Sequence, residues 1–158
     1  MSVFFEDFQV GETTVLGAYK FERAAMIAFA RLYDPQPFHL DEEAARQSIY
    51  GGLIASGWHT VSAFMRCFID SIERQRQELA ARGEALPPVG VSPGVTDLRW
   101  VAPVRSGDTV TYSTTIVSKR AIHRLAWGMV MRRSVGVNQD GVEVVSCNSV
   151  VMTGRRPQ

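Results

Sequence analysis

The sequence predicts an α+β fold in which an antiparallel β-sheet wraps around one long central helix. Three observations predict it. Ile54, Trp58, Val61, Met65, Phe68 and Ile72 follow one another at steps of four, three, four, three and four, the stripe of a helix buried along one face. From Thr109 onward the texture changes to alternating and β-branched segments, the pattern of strands. A sheet with one apolar face needs a cover, and the Ile54–Ile72 stripe is the cover available.

The elements follow in order. A turn at Val10-Gly11-Glu12 leads into Thr13-Thr14-Val15-Leu16, read as an edge strand. Phe21 to Tyr33 is rich in helix formers and must stop near Tyr33, because residues before a proline are pushed out of the α region. A second, short helix begins at Asp41, which can cap it, with Glu42 and Glu43 at its positive end. Gly51-Gly52 then opens the long helix at Leu53, which runs in polar form through Glu73–Ala81 and ends near Gly83, ahead of Pro87-Pro88. Thr109–Ser118 alternates Val110, Tyr112, Thr114 and Ile116 against polar neighbours. Leu125–Val137 places Leu125, Trp127, Met129 and Met131 on one side, and Asn138-Gln139-Asp140-Gly141 is a hairpin turn into Val142–Met152.

The 158 residues suit one domain, 1–158, with a real core. A net charge of +1 supplies no field that favours nucleic acid or an anionic membrane. Arg74, Arg76 and Arg82 alternate with Glu73, Glu78 and Glu84 like a solvated helix face. Arg132-Arg133 and Arg155-Arg156 read as solvated pairs, with phosphates of a nucleotide-bearing substrate as the alternative partner. The N-terminus has no signal-peptide pattern, and no apolar run approaches the ~20 residues a membrane span needs. Cys67 and Cys147 lack metal-ligand spacing and read as small buried hydrophobes. The expected setting is cytoplasmic and reducing.

Asp34-Pro35-Gln36-Pro37-Phe38-His39 carries the chemistry. A carboxylate can orient a water, and a neutral imidazole can take its proton and return it. Pro35 and Pro37 stiffen the intervening backbone, so both side chains can be aimed into one cleft. The structural alternative is that Asp34 caps a turn and His39 ends a loop. Gly51-Gly52 lets a ligand approach the backbone, and the Gly52 amide at a helix start would face developing negative charge. Read alone, the glycine pair is equally a plain turn between helices. His59 and His123 are read as core or surface residues, and no phosphate-cradling loop or metal site is present in the pattern.

These residues resemble the MaoC-like, (R)-specific enoyl-CoA hydratase family. Asp34-Pro35-Gln36-Pro37-Phe38-His39 is similar to its Asp-x-Asn-Pro-aliphatic-His signature. Gly51-Gly52-Leu53-Ile54-Ala55 and Leu98–Val104 followed by Ser106-Gly107-Asp108-Thr109 match its later segments. The resemblance implies a hot-dog fold, paired into a homodimer or higher homo-oligomer across sheet edges. It implies that Asp34 and His39 add water across C2=C3 of an enoyl thioester, with Gly52 N–H on the thioester oxygen. Ser56 and Thr60 would line the acyl chain. No cofactor or metal is implied; coenzyme A or a carrier protein is part of the acyl-thioester substrate, and neither nucleic acid nor membrane is a partner. Tyr33, Gln36 and Phe38 depart from the family pattern and would shape the acyl pocket. The Glu73–Pro88 segment is long for the family and is expected to cover a pocket or extend an interface.

The activity expected is therefore that of a hydro-lyase, a hydratase/dehydratase on an acyl-CoA or acyl-carrier-protein thioester. A hot-dog acyl-CoA thioesterase and a non-catalytic acyl-thioester-binding subunit are the rivals. The Asp–His pair in one loop favours hydration over both.

Overall fold

The computed structural model describes residues 4–88, 90–122 and 126–156. His123 and Leu125, both singled out from the sequence, lie outside them. Five antiparallel strands form one sheet: β1 (Thr13–Lys20), β2 (Gly94–Trp100), β3 (Thr109–Ala121), β4 (Trp127–Val137) and β5 (Glu143–Gly154). Their order is β1-β3-β4-β5-β2. The sheet curls around α4 (Gly57–Ala81), the long helix, and this is the hot-dog arrangement. The segments after α4 are not a simple meander. β2 crosses the sheet to pair with β5, because its in-sequence neighbour β3 is already paired with β1 and β4.

Among the described residues a 3-10 turn (Phe5–Asp7) and three short α-helices precede α4. α1 (Arg23–Tyr33) stops before Pro35 as expected. α2 (Pro37–Leu40), in the segment expected to be a stiff loop, forms because Pro37 sits at its first turn, where a missing N–H costs nothing. α3 (Glu42–Arg46) is capped by Asp41, whose Oδ1 accepts from Ala44 N at 2.8 Å.

The inward row of β3 is the expected one: Val110, Tyr112, Thr114 and Ile116 are all buried. In β4 Trp127, Met129 and Met131 share one side as expected, and that side is the outer one. Its inward positions are Gly128, Val130, Arg132, Ser134 and Gly136. Small inward residues let the sheet bend closely over its contents: a side chain at Gly136 would collide with Tyr112 and Val145.

α4 departs from the sequence reading at both its start and its buried face. It begins at Gly57, not Leu53, and Ile54 forms a β-bridge with Arg105 instead. Its fully buried positions are His59, Thr60, Ala63, Cys67, Ser71 and Leu79, whereas Trp58 and Met65 of the predicted stripe are about half exposed, at 54% and 46%. The sheet packs directly on this face: a Cβ at Gly17 of β1 would be in ordinary contact with Cys67 Sγ, at 3.8 Å. Larger side chains would hold the layers apart. Val61, Phe64 and Phe68 pack from the flank.

Arg74 and Arg76 are not simply solvated. Their guanidinium groups donate to the carbonyls of Leu16 at 2.7 Å and Pro87 at 2.9 Å, tying the helix to β1 and to the loop after it. Arg155 and Arg156 pair with Glu6 and Asp7.

Candidate active site

Asp34 follows the last turn of α1, and His39 lies within α2. The two prolines between them restrict the backbone as expected. The result is a close pair: His39 Nε2 is 3.3 Å from Asp34 Oδ2. The imidazole is buried, and Asp34 keeps a small opening to solvent, 18% for its side chain.

Each member is held by further bonds. His39 Nδ1 lies 2.9 Å from the carbonyl oxygen of Ile54. A carbonyl only accepts, so Nδ1 carries the proton and Nε2 is the nitrogen that can exchange one. Gln36 Nε2 donates to Asp34 Oδ1 at 2.8 Å, and Ser56 Oγ donates to Asp34 Oδ2 at 2.7 Å. Burial pushes the Asp34 carboxyl up, but the hydrogen bonds from Gln36 and Ser56 and the charge and hydrogen bond of His39 outweigh it. The net direction is down, so Asp34 is an anion at neutral pH.

The start of α4 completes the arrangement. Ile54 N donates to Phe38 O at 3.3 Å and Ala55 N to Val104 O at 2.8 Å, so these amides go to tertiary acceptors and leave the segment extended. Ser56 caps the helix, with its hydroxyl accepting from Trp58 N at 3.2 Å while donating to Asp34. Gly57 is the first helical residue, and its amide is one of those a helix start leaves without an internal partner. A side chain at Gly57 would collide with the indole of Trp100.

The other expected residues fall into two groups. Gln36 and Ser56 join the pair directly. Phe38 packs its ring edge-on against His39, with centroids 4.5 Å apart, and so walls the imidazole. Gly52 lies in a bend before the helix, beside the Arg105 guanidinium, so it does not hold the helix-start position from which its donor role was argued. Thr60 is buried and spends its hydroxyl on Gly57 O at 2.6 Å. Tyr33 rests on Phe29 and is 71% exposed. Gly57 is not among the residues expected from the sequence. Ser56, a preferred capping residue directly ahead of it, was the available signal.

His59 is a core residue, as expected. Its ring stacks on Phe29 at 4.7 Å and meets Tyr19 and Phe21 edge-on, while burial pushes its pKa down. Among the described residues no group of three or more His, Cys, Asp or Glu side chains could hold a metal. No helix there is long and apolar enough to cross a membrane.

A hot-dog sheet around a helix, with a carboxylate–imidazole pair tied to the helix cap, defines a class of protein with acid–base machinery at the helix start. The chain belongs to the MaoC-like dehydratase family: the MaoC like domain matches residues 7–134. It is similar to the MaoC-like dehydratase from Rhodospirillum rubrum, with 36% identity, a TM-score of 0.82, and coverage of 99% of this chain and 100% of that one. R-Hydratase PhaJ1 from Pseudomonas aeruginosa shares the fold at 21% identity and a TM-score of 0.70, covering 98% and 87% of the two chains. Protein MaoC of Klebsiella aerogenes is 28% identical over 122 residues, 77% of this chain. The chain spans only 32% of the length of that relative.

Proposed function

We propose that this chain is a hydro-lyase that adds water reversibly across the C2=C3 bond of an enoyl thioester, carried on coenzyme A or a carrier protein. One observation carries the reading. Asp34 Oδ2 is held between Ser56 Oγ and His39 Nε2, while Ile54 O fixes the imidazole tautomer.

The steps follow from these groups. Ionised Asp34 accepts a hydrogen bond from a water and orients it. His39 Nε2 takes the other proton as the water oxygen bonds to C3. The C2=C3 electron pair moves toward the thioester oxygen, giving an enolate. The Gly57 amide and the positive end of α4 stabilise that oxygen, and a single donor of this kind is typically worth about 3–4 kcal/mol. The enolate then collapses and C2 takes the proton from His39, which returns to neutral. No cofactor or metal takes part.

The test is hydration of crotonyl-CoA, followed by loss of the enoyl absorbance. Asp34→Asn and His39→Ala are each expected to lower turnover by about 10²–10⁴-fold with an unchanged circular dichroism spectrum. Near-normal hydration in either variant would sink the mechanism. Release of free thiol in place of hydration would select the thioesterase, and binding of thioesters without turnover would select a binding subunit.

The active form is a homodimer or larger homo-oligomer joined at β2. This edge strand presents Val95 and Trp100, Val101 follows it, and α4 adds Trp58 beside Trp100, at a ring distance of 5.3 Å. Contiguous exposed apolar surface of this kind marks an interaction face.

A further inference from the structure

Beyond the Asp34–His39 site, the curl of the sheet leaves a second space. A cavity of about 510 Å³ lies between the middle of α4, from Met65 to Arg76, and strands β1, β3, β4 and β5, and the loop at Pro87 and Pro88 helps to line it. Its size falls within the range of small-molecule sites, roughly 300–1,000 Å³. The wall is mainly apolar, with Leu16, Phe68, Ile72, Ile116 and Met152 prominent, and it contains none of Asp34, Gln36, His39 or Ser56.

Arg132 is the anomaly in that wall. It occupies an inward position of β4, where a small or apolar residue is the rule. Its guanidinium carbon sits 4.7 Å from the Phe8 ring centre and 5.7 Å from that of Phe68. Its Nε is shut away from solvent with no hydrogen-bond partner among the described residues. Burial pushes its pKa down to about 10, against a favourable charge contribution from Glu12. Two aromatic faces stabilise a cation but do not use its N–H donors. A partly desolvated guanidinium without an anion against it is a costly arrangement, and the N–H groups it turns to the cavity match the geometry of a carboxylate.

We infer that this cavity binds an aliphatic chain ending in a carboxylate, with Arg132 as its anion anchor. The apolar wall takes the chain, and the guanidinium takes the head. Glu12 and Glu73 also line the space, while Arg76, the other cation there, is engaged with Pro87 O. Two acids on the wall disfavour a dianionic head such as a phosphate, and a monoanionic carboxylate is the better fit. Such a ligand has two sources: a free medium-chain carboxylate, or the far end of an acyl group whose thioester sits at Asp34 and His39. Met65, where the cavity begins on α4, is nine residues beyond Ser56. That is about 13 Å of helix, a span that a chain of about ten carbons covers.

Calorimetry on the intact chain with decanoate and decanol tests the first source without reference to turnover. The expected result is decanoate binding at least tenfold tighter than decanol, with Arg132→Met removing the preference. The wild-type comparison stands even where the variant folds poorly. Steady-state kinetics on trans-2-enoyl thioesters with and without a terminal carboxylate tests the second. Here Arg132→Met is expected to lower kcat/KM about tenfold for the carboxylated chain alone. Selective decanoate binding assigns the free ligand, and an Arg132-dependent preference confined to the thioester assigns the substrate's own tail. Neither preference in the wild-type protein overturns the proposal, and decanoate binding in a protein that hydrates nothing would leave it standing while removing the hydratase reading.

Discussion

Ser56 does two jobs with one hydroxyl, donating to Asp34 and accepting from Trp58 N at the start of α4. Ser56→Ala should therefore raise the Asp34 pKa and shift the acid limb of kcat/KM to higher pH. It should also cost about 1 kcal/mol of stability through the lost cap, and urea titrations beside a pH–rate profile separate the two effects. The stability linkage of Asp34 has a definite sign. Its folded pKa is depressed, so its contribution is present above the ordinary carboxylate value of about 4 and is lost as pH falls through the folded value. His59 loses stability over a higher window. It is buried neutral, so the unfolded chain binds a proton more readily below about pH 6.5, and stability falls from there as pH drops toward the folded pKa. His59→Phe keeps the aromatic packing and removes the Nδ1 that has no partner among the described residues, together with the 3.4 Å contact of Nε2 with the Tyr19 hydroxyl. Denaturant unfolding at pH 7 and pH 5 should show a smaller acid loss in this variant than in wild type. At this scale the acid–imidazole pair was legible, because two prolines and two proton-handling groups lie in six consecutive residues. The place of Gly57 as the first helical residue was not, because it depends on where the helix begins.

Helix α4 illustrates what element-level patterns contain. Its existence was readable from the four-three spacing, and its end near Gly83 from the glycine ahead of a proline pair. Its buried face was not, because hydrophobicity ranks Trp58 and Met65 above Ala63, Cys67 and Ser71, while the sheet selects by size. Cys67→Leu should accordingly destabilise the fold by about 1–3 kcal/mol despite being more apolar, as measured by chemical denaturation. The inward row of β4 escaped for a related reason. Trp127, Met129 and Met131 are the hydrophobic set, yet Gly128, Val130 and Gly136 are what a tightly bent sheet admits against Phe5 and Tyr112. Arg132 shares that inward row, which is why a residue read as solvated is instead enclosed by two aromatic rings.

For the whole molecule, the unpaired edge at β2 and the exposed Trp58–Trp100 contact predict self-association. Val95→Glu places a charge on that edge, and light scattering should show conversion of the oligomer to monomer with little loss of monomer folding. Retention of the wild-type mass would place the interface elsewhere. The sequence by itself determined that a helix and an antiparallel sheet share one core, and that Asp34 and His39 sit on a stiffened segment ahead of the helix. Local spacing and backbone chemistry are enough for both. Only the tertiary structure decided the register of the helix start, the strand that crosses to the sheet edge, the small-residue seam and the cavity around Arg132. Each of these depends on how closely two layers approach, a property of packed volumes that no residue spacing encodes.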